Sequence, residues 1–182
     1  PYSSYRCYSI SAQFAGANNG ATILMPPGTL TEGDGISDTF QLSFYDKHVS
    51  IECDVTAGAC VWKGAAGKGV VHIRNSGGTT TLSQIIIRNG DGYIGEGLLA
   101  TNSVVVLNRV SFIENHAYAG GAVYVEQGAS TVSMQGCTFS GNTANAPGQM
   151  DIYLSNGQTA SVTGCPEGER ANMSRRGQER KW

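Results

Sequence analysis

Asp91, Glu96 and Glu114 are the residues whose types and spacing invite chemistry. Two of them share one loop, NGDGYIGEG from Asn89 to Gly97, and the third follows 18 residues later, with Arg88 and Arg109 on neighbouring positions. A carboxylate pair held ~5 to 9.5 Å apart is what glycoside hydrolysis needs. Several carboxylate oxygens on one loop could also hold calcium or a sugar. The competing reading is that these residues are solvated corners of a repeating backbone, and it is the one carried forward. No catalytic residue and no cofactor is assigned.

The other chemistry-bearing side chains form no constellation. His48, His72 and His116 fall at different phases of the chain with no nucleophile at a readable spacing, so no triad can be assembled. Thr79, Thr80 and Thr81 form a threonine run, but the corresponding positions further on read Val104-Val105-Val106 and Ser130-Thr131-Val132, so the run is not a ladder. Cysteines stand at 7, 53, 60, 137 and 165, without the paired spacing of a zinc site. Cys53 and Cys60 bracket the loop Asp54–Ala59, a separation that a disulfide closes readily. Cys137 and Cys165 fall at one phase of consecutive units, either bridged or stacked as thiols, whereas Cys7 lies too far along the chain to meet Cys165.

The elements that position these residues are set by an internal repeat. Gly121–Asn142 lies without a gap over Gly69–Gly90, placing Val123 on Val71, Val125 on Ile73, Val132 on Thr80, Met134 on Leu82, Cys137 on Ile85 and Phe139 on Ile87. Further copies run from Gly97 to Asn115 and from Ile152 to Cys165. Three columns of like residues result: Leu82, Leu107, Met134, Val162; Ile85, Val110, Cys137, Cys165; and Ile87, Phe112, Phe139. A fourth, Asn89, Asn115 and Asn142, needs a slip of one. Within a unit the apolar residues alternate with Ser and Thr, interrupted by a corner at Gln135 and Gly136, which is the period of half-buried strands around a bend. Such a unit cannot bury its inner face alone, so the units stack and pair in parallel.

The expected architecture is all-β, a parallel β-helix of about five or six turns, each adding ~4.8 Å. Residues 21–165 form the solenoid, with Phe40, Leu42, Phe44, Val49, Ile51 and Val61 facing inward in its first turns and Glu32–Ser37 in a loop. Residues 1–20 form an N-terminal cap, with a short amphipathic helix over Ser9–Ala17 stopped at Asn18-Asn19-Gly20. Residues 166–182 read as a polar tail or the start of a further module, because 167–182 hold five Lys or Arg and three Glu. The chain begins at Pro1 without an initiator methionine, as a processed or excised segment would.

Composition narrows the function. Charged residues are 14% of the chain and glycine 25 of 182, the balance of short strands with many tight corners. A net charge of -2 gives no electrostatic case for nucleic acid. No apolar run reaches the ~20 residues of a spanning helix, so no membrane span is expected in this segment.

The stretch FIENHAYAGGAVYV, Phe112–Val125, resembles the paired FxxN and GGA(I/L/V) signature of the polymorphic outer-membrane protein repeats, and more broadly the pectin-lyase-like β-helix repeat proteins. Phe112, Asn115, Gly120, Gly121 and Ala122 carry the likeness. FSGNTANAPGQMDIYL keeps Phe139 and Asn142 but has Pro147-Gly148 in place of the glycine pair. The resemblance implies a right-handed β-helix in which Asn115 and Asn142 bond neighbouring corners and Gly120-Gly121 make a tight bend. These are architectural roles. Polysaccharide lyases and hydrolases of that fold set carboxylates, calcium or a basic residue on one outer face, and their paired-Asp and Arg-x-Lys arrangements are missing here. The expected function is therefore a non-catalytic scaffold or interaction module of a surface or secreted protein, or an accessory subunit. It would meet another protein or a polysaccharide through an outer face or a solenoid end, in an oxidising compartment. The alternative is a polysaccharide-modifying enzyme.

Overall fold

The computed structural model of the protein describes residues 17–31, 40–126, 128, 130–146, 151–155 and 157–164, together with the backbone of 172–175 and 178–181. Most of the expected cap, all but the last residue of its Ser9–Ala17 helix, the Glu32–Ser37 loop and both Cys7 and Cys165 lie outside these residues. Within them the chain is a parallel β-solenoid of about five turns, and no helix occurs.

Each turn contributes one strand to each of three sheets. Sheet A stacks Thr22–Met25, Ser50–Cys53, Thr79–Ser83, Val104–Asn108, Thr131–Gln135 and Thr159–Thr163. Sheet B stacks Gly28–Leu30, Cys60–Lys63, Ile85–Arg88, Ser111–Ile113 and Thr138–Ser140. Sheet C begins with Phe40–Tyr45, Gly69–Arg74, Leu98–Thr101, Val123–Val125 and Ile152–Leu154. All pairing among these strands is parallel.

The register reproduces the columns read from the repeat. Leu82, Leu107, Met134 and Val162 are successive partners in sheet A, and Trp62, Ile87, Phe112 and Phe139 in sheet B. Val71, Leu98, Val123 and Ile152 stack in sheet C. Phe112 and Phe139 lie with ring centroids 5.4 Å apart and planes within 10°, both buried. One or two inward-facing apolar side chains per strand fill the bore at each level, so burial is continuous along the axis although no single turn could supply it.

In turns three to five the bend between sheets A and B uses one residue in the left-handed region, Gln84, Arg109 and Gly136, with φ of 60, 53 and 62°, and Gly164 takes a φ of 66° after the last strand of sheet A. A second such position, Asn89, Glu114 and Gly141, ends sheet B in turns three to five. A single left-handed residue turns a strand sharply without interrupting the ladder on either side.

One expectation needs correction: Val61 is only partly buried, and Cys60 and Trp62 face the core instead. The Cys53–Cys60 disulfide, with Cα atoms 5.7 Å apart, ties two inward-facing sulfurs across the Asp54–Ala59 loop and fixes that phase. The slip of one in the asparagine column falls at Asn89, which occupies the left-handed bend, so that Gly90 stands opposite Asn115. The stretch read as a polar tail or the start of a further module contains two strands. Asn172–Arg175 pairs in parallel with Ile152–Leu154, and Gln178–Lys181 returns antiparallel to it, extending sheet C. Ladder bonds need only backbone groups, so a polar sequence can extend a sheet without filling a bore.

Candidate functional site

The loops from sheet B to sheet C in turns three and four, Asn89–Gly97 and Glu114–Ala122, carry all three carboxylates singled out from the sequence. They stack in register, with bridges between Asp91 and His116 and between Ile94 and Ala119. Side chains in the second loop alternate: Asn115, Ala117 and Ala119 point in, while His116 and Tyr118 point out.

Stacking separates the carboxylates instead of gathering them. Glu114 Oε2 accepts from Arg88 Nη2 at 2.8 Å and from Asn89 Nδ2 at 3.2 Å, on the surface. Asp91 is exposed beside His116. Glu96, expected to be a solvated corner residue, is only 3% exposed. A β-carbon at Gly69 or Gly92 would come within 2.6 or 2.7 Å of its carboxyl oxygens, so glycines on two sides make room for it. Burial pushes its pKa up to about 7, against the opposing pull of hydrogen bonds from the Ile94 and Tyr93 backbone, and the Asp91 charge pushes the same way as burial. A carboxyl enclosed in this way braces its own loop and has no open face for a substrate. Arg109 sits on a different edge, at the bend between sheets A and B. Among the described residues no group of three or more His, Cys, Asp or Glu could hold a metal ion.

Asn115 and Asn142 do form the expected ladder. Asn115 Oδ1 accepts from Gly90 N at 3.0 Å, and its amide donates to Ile87 O and Asn142 Oδ1. Asn142 Oδ1 also accepts from Asn115 N, while its amide reaches Phe112 O and Asp151 Oδ1 at 3.0 and 3.1 Å. Both side chains are buried, so these bonds satisfy backbone groups that water cannot reach. Of the glycine pair, Gly120 takes the left-handed bend, with φ +62°.

Outside, the loops present aromatic surface that residue-by-residue reading of the charges overlooked. Tyr93 and Tyr118 are 70% and 50% exposed and stack with centroids 5.4 Å apart and planes within 7°. Beside them His116 Nδ1 lies 2.5 Å from Thr143 Oγ1. The signal was present as the spacing of 25 residues between Tyr93 and Tyr118, the same as from Ile87 to Phe112.

His72, set aside on sequence, belongs to a chain of hydrogen bonds on the outer side of sheet C. Its Nδ1 lies 3.4 Å from Tyr45 Oη and its Nε2 3.1 Å from Thr101 Oγ1, which donates to Glu126 Oε2 at 2.6 Å. Burial depresses its pKa to about 4, with the nearby Arg74 charge acting the same way and Glu126 opposing. With both nitrogens engaged and the ring neutral, His72 ties successive turns together. Only the register reveals it, because Tyr45, Thr101 and Glu126 lie 27, 29 and 54 residues away.

No protein-family model, curated protein or solved structure matches the chain. The fold and its surfaces therefore carry the functional argument.

Proposed function

We propose that the chain is a non-catalytic interaction module built on a right-handed β-helix of the pectin-lyase-like kind, carried by a surface or secreted protein or serving as an accessory subunit. The FxxN and GGA motifs support that kinship through the ladder and bend they form. The observation that carries the function is the stacked pair Tyr93 and Tyr118, exposed on a rigid ledge. Pre-ordered exposed tyrosines offer large contact area with little entropy left to lose, the character of interface anchors. The partner is a protein or a polysaccharide reaching this outer face. An oxidising compartment suits the Cys53–Cys60 disulfide. Among the described residues no helix is long and apolar enough to cross a membrane.

Two measurements test this reading. Incubation with pectate, alginate and related polymers in calcium, followed by viscosity and new chain ends, should show no turnover. Retention on the same polymers and on immobilised extracellular proteins should fall more than about tenfold in the Tyr93→Ala/Tyr118→Ala double variant, as loss of two anchors predicts. Turnover abolished by Asp91→Asn or Glu114→Gln, or retention indifferent to both tyrosines, would overturn it.

A further inference from the structure

One loop, Asn89–Gly97, carries both the buried carboxyl of Glu96 and the exposed ring of Tyr93. The two are joined through the backbone. The Glu96 carboxyl accepts from the Tyr93 and Ile94 N–H groups, and the Tyr93 carbonyl accepts from Tyr118 N at 2.9 Å, beside the stacked rings. Further bonds tie the loop to the next turn, from Gly92 N to His116 O and from Gly95 N to Ala119 O, both 3.2 Å. Tyr93 stands where it does because Glu96 holds the loop from inside.

The walls around that carboxyl differ in how they can move. Gly69 and the Phe40 ring against it belong to paired strands of sheet C, whereas Gly92 belongs to the loop itself. Ionising the carboxyl in this enclosure leaves a charge that water cannot reach, and lifting the loop is the change that hydrates it without breaking a sheet ladder. Asp91, on the same loop, opposes ionisation as burial does. The other titratable or charged groups on the elements packed around the cradle are Lys68, just before the Gly69–Arg74 strand, His72 within it, Tyr124, against which Gly95 packs, and His116 on the next loop.

We propose that Glu96 is a proton-operated latch for the tyrosine ledge: with the carboxyl protonated the loop is closed and Tyr93 stacks on Tyr118, and with the carboxyl ionised the loop lifts, the ledge comes apart and the hold on a partner weakens. Its consequence for a partner rests on the contact face proposed above; the movement of the loop does not. The sign follows from linkage. The closed loop keeps the proton up to about pH 7, and the opened loop returns the carboxyl to its ordinary 4.5, so opening grows as pH rises through that interval. Between pH 5 and pH 8 the opening equilibrium rises roughly seventyfold. A surface loop open about a tenth of the time at pH 5 is then mostly open at pH 8, and the apparent affinity of a partner that needs it closed falls about sevenfold.

Proton NMR of the full chain tests the latch without any partner. Between pH 5 and pH 8 the ring signals of Tyr93 and Tyr118 should move toward unstacked values, while those of Tyr124 and Tyr153, paired on sheet C, stay in place. Glu96→Gln should keep Tyr93 and Tyr118 stacked throughout, and His116→Gln should leave the step intact. Ring signals of Tyr93 and Tyr118 that do not change in the parent, or that change equally in Glu96→Gln, overturn the latch, and the parent alone decides the first point should the variant not fold. On a pectate, alginate or extracellular-protein support that retains the parent at pH 5, retention should weaken about sevenfold by pH 8 and stay constant in Glu96→Gln. Equal retention of the parent at both pH values overturns the proposal. Stacking that follows pH with no retention at either value supports the latch and removes the contact-face reading instead.

Discussion

The corners of turns three and four bury polar side chains of different kinds, a carboxyl in Glu96 and an amide in Asn115. Asn115 both accepts and donates, so one neutral side chain satisfies Gly90 N, Ile87 O and part of Asn142. Glu96 accepts from its own loop's backbone, and burial raises its pKa to about 7. The two corners brace the same stack, but only the carboxyl makes its bracing depend on pH. A buried polar residue thus stabilises unconditionally when its hydrogen bonds are complete without charge, and conditionally when it must first bind a proton.

Removing the amide should produce the largest effect. Asn115→Ala leaves Gly90 N and Ile87 O unpaired and should cost about 3 to 5 kcal/mol in urea unfolding, nearly independent of pH. Asn115→Asp should convert the amide corner into a carboxyl corner, with a destabilisation that shrinks as pH falls and the new carboxyl regains a donor. A pH-independent loss in Asn115→Asp would break the distinction.

Glu96 supplies the next effect. Its folded pKa, about 7, stands above the ordinary 4.5, so the folded state holds the proton that the unfolded state releases between these values. The Glu96 contribution is present below pH 4.5 and is lost as pH rises through about 7, a loss of up to about 3 kcal/mol. Glu96→Gln should match the parent near pH 4.5 and exceed it near pH 8. His72 acts oppositely: its folded value near 4 lies below 6.5, so its contribution is present above 6.5 and is lost as pH falls through about 4. Over their shared window, between pH 4.5 and 6.5, the two slopes oppose and largely cancel. His72→Gln should therefore uncover a decline with rising pH, while Glu96→Gln should uncover a rise; unfolding midpoints at half-unit pH steps decide both.

The smallest effect belongs to the outer carboxylate of the same loops. Glu114→Ala breaks an exposed ion pair with Arg88 and should change stability by less than about 1 kcal/mol, vanishing at high salt. A larger effect would mean that the outside of the corner matters as much as its core.

Much of the architecture was legible because a stacked solenoid forces one residue class to recur at one phase. Leu82, Leu107 and Met134 announce sheet A, and Ile87, Phe112 and Phe139 announce sheet B, because each sits on its predecessor. Asn115 and Asn142 were legible for the same reason. Where a turn departs from the common length the phase could not be read, and Val61 was placed inward although the disulfide turns Cys60 and Trp62 to the core. Strands in 172–181 escaped because their pairing is a backbone property that apolar periodicity does not report.

The sequence by itself determined a repeat, its parallel stacking, its core columns and the local Cys53–Cys60 bridge, all fixed by side-chain period and short separation. Only the tertiary structure decided which polar residues are buried and which meet. Glu96 and Glu114 are alike in type and both lie in sheet B to sheet C loops, yet one is enclosed by Gly69 and Gly92 and the other lies on the surface beside Arg88. The Tyr45–His72–Thr101–Glu126 chain likewise assembles from different turns. Depth and proximity across turns depend on how loops of unequal composition stack, and one-dimensional period carries no record of that.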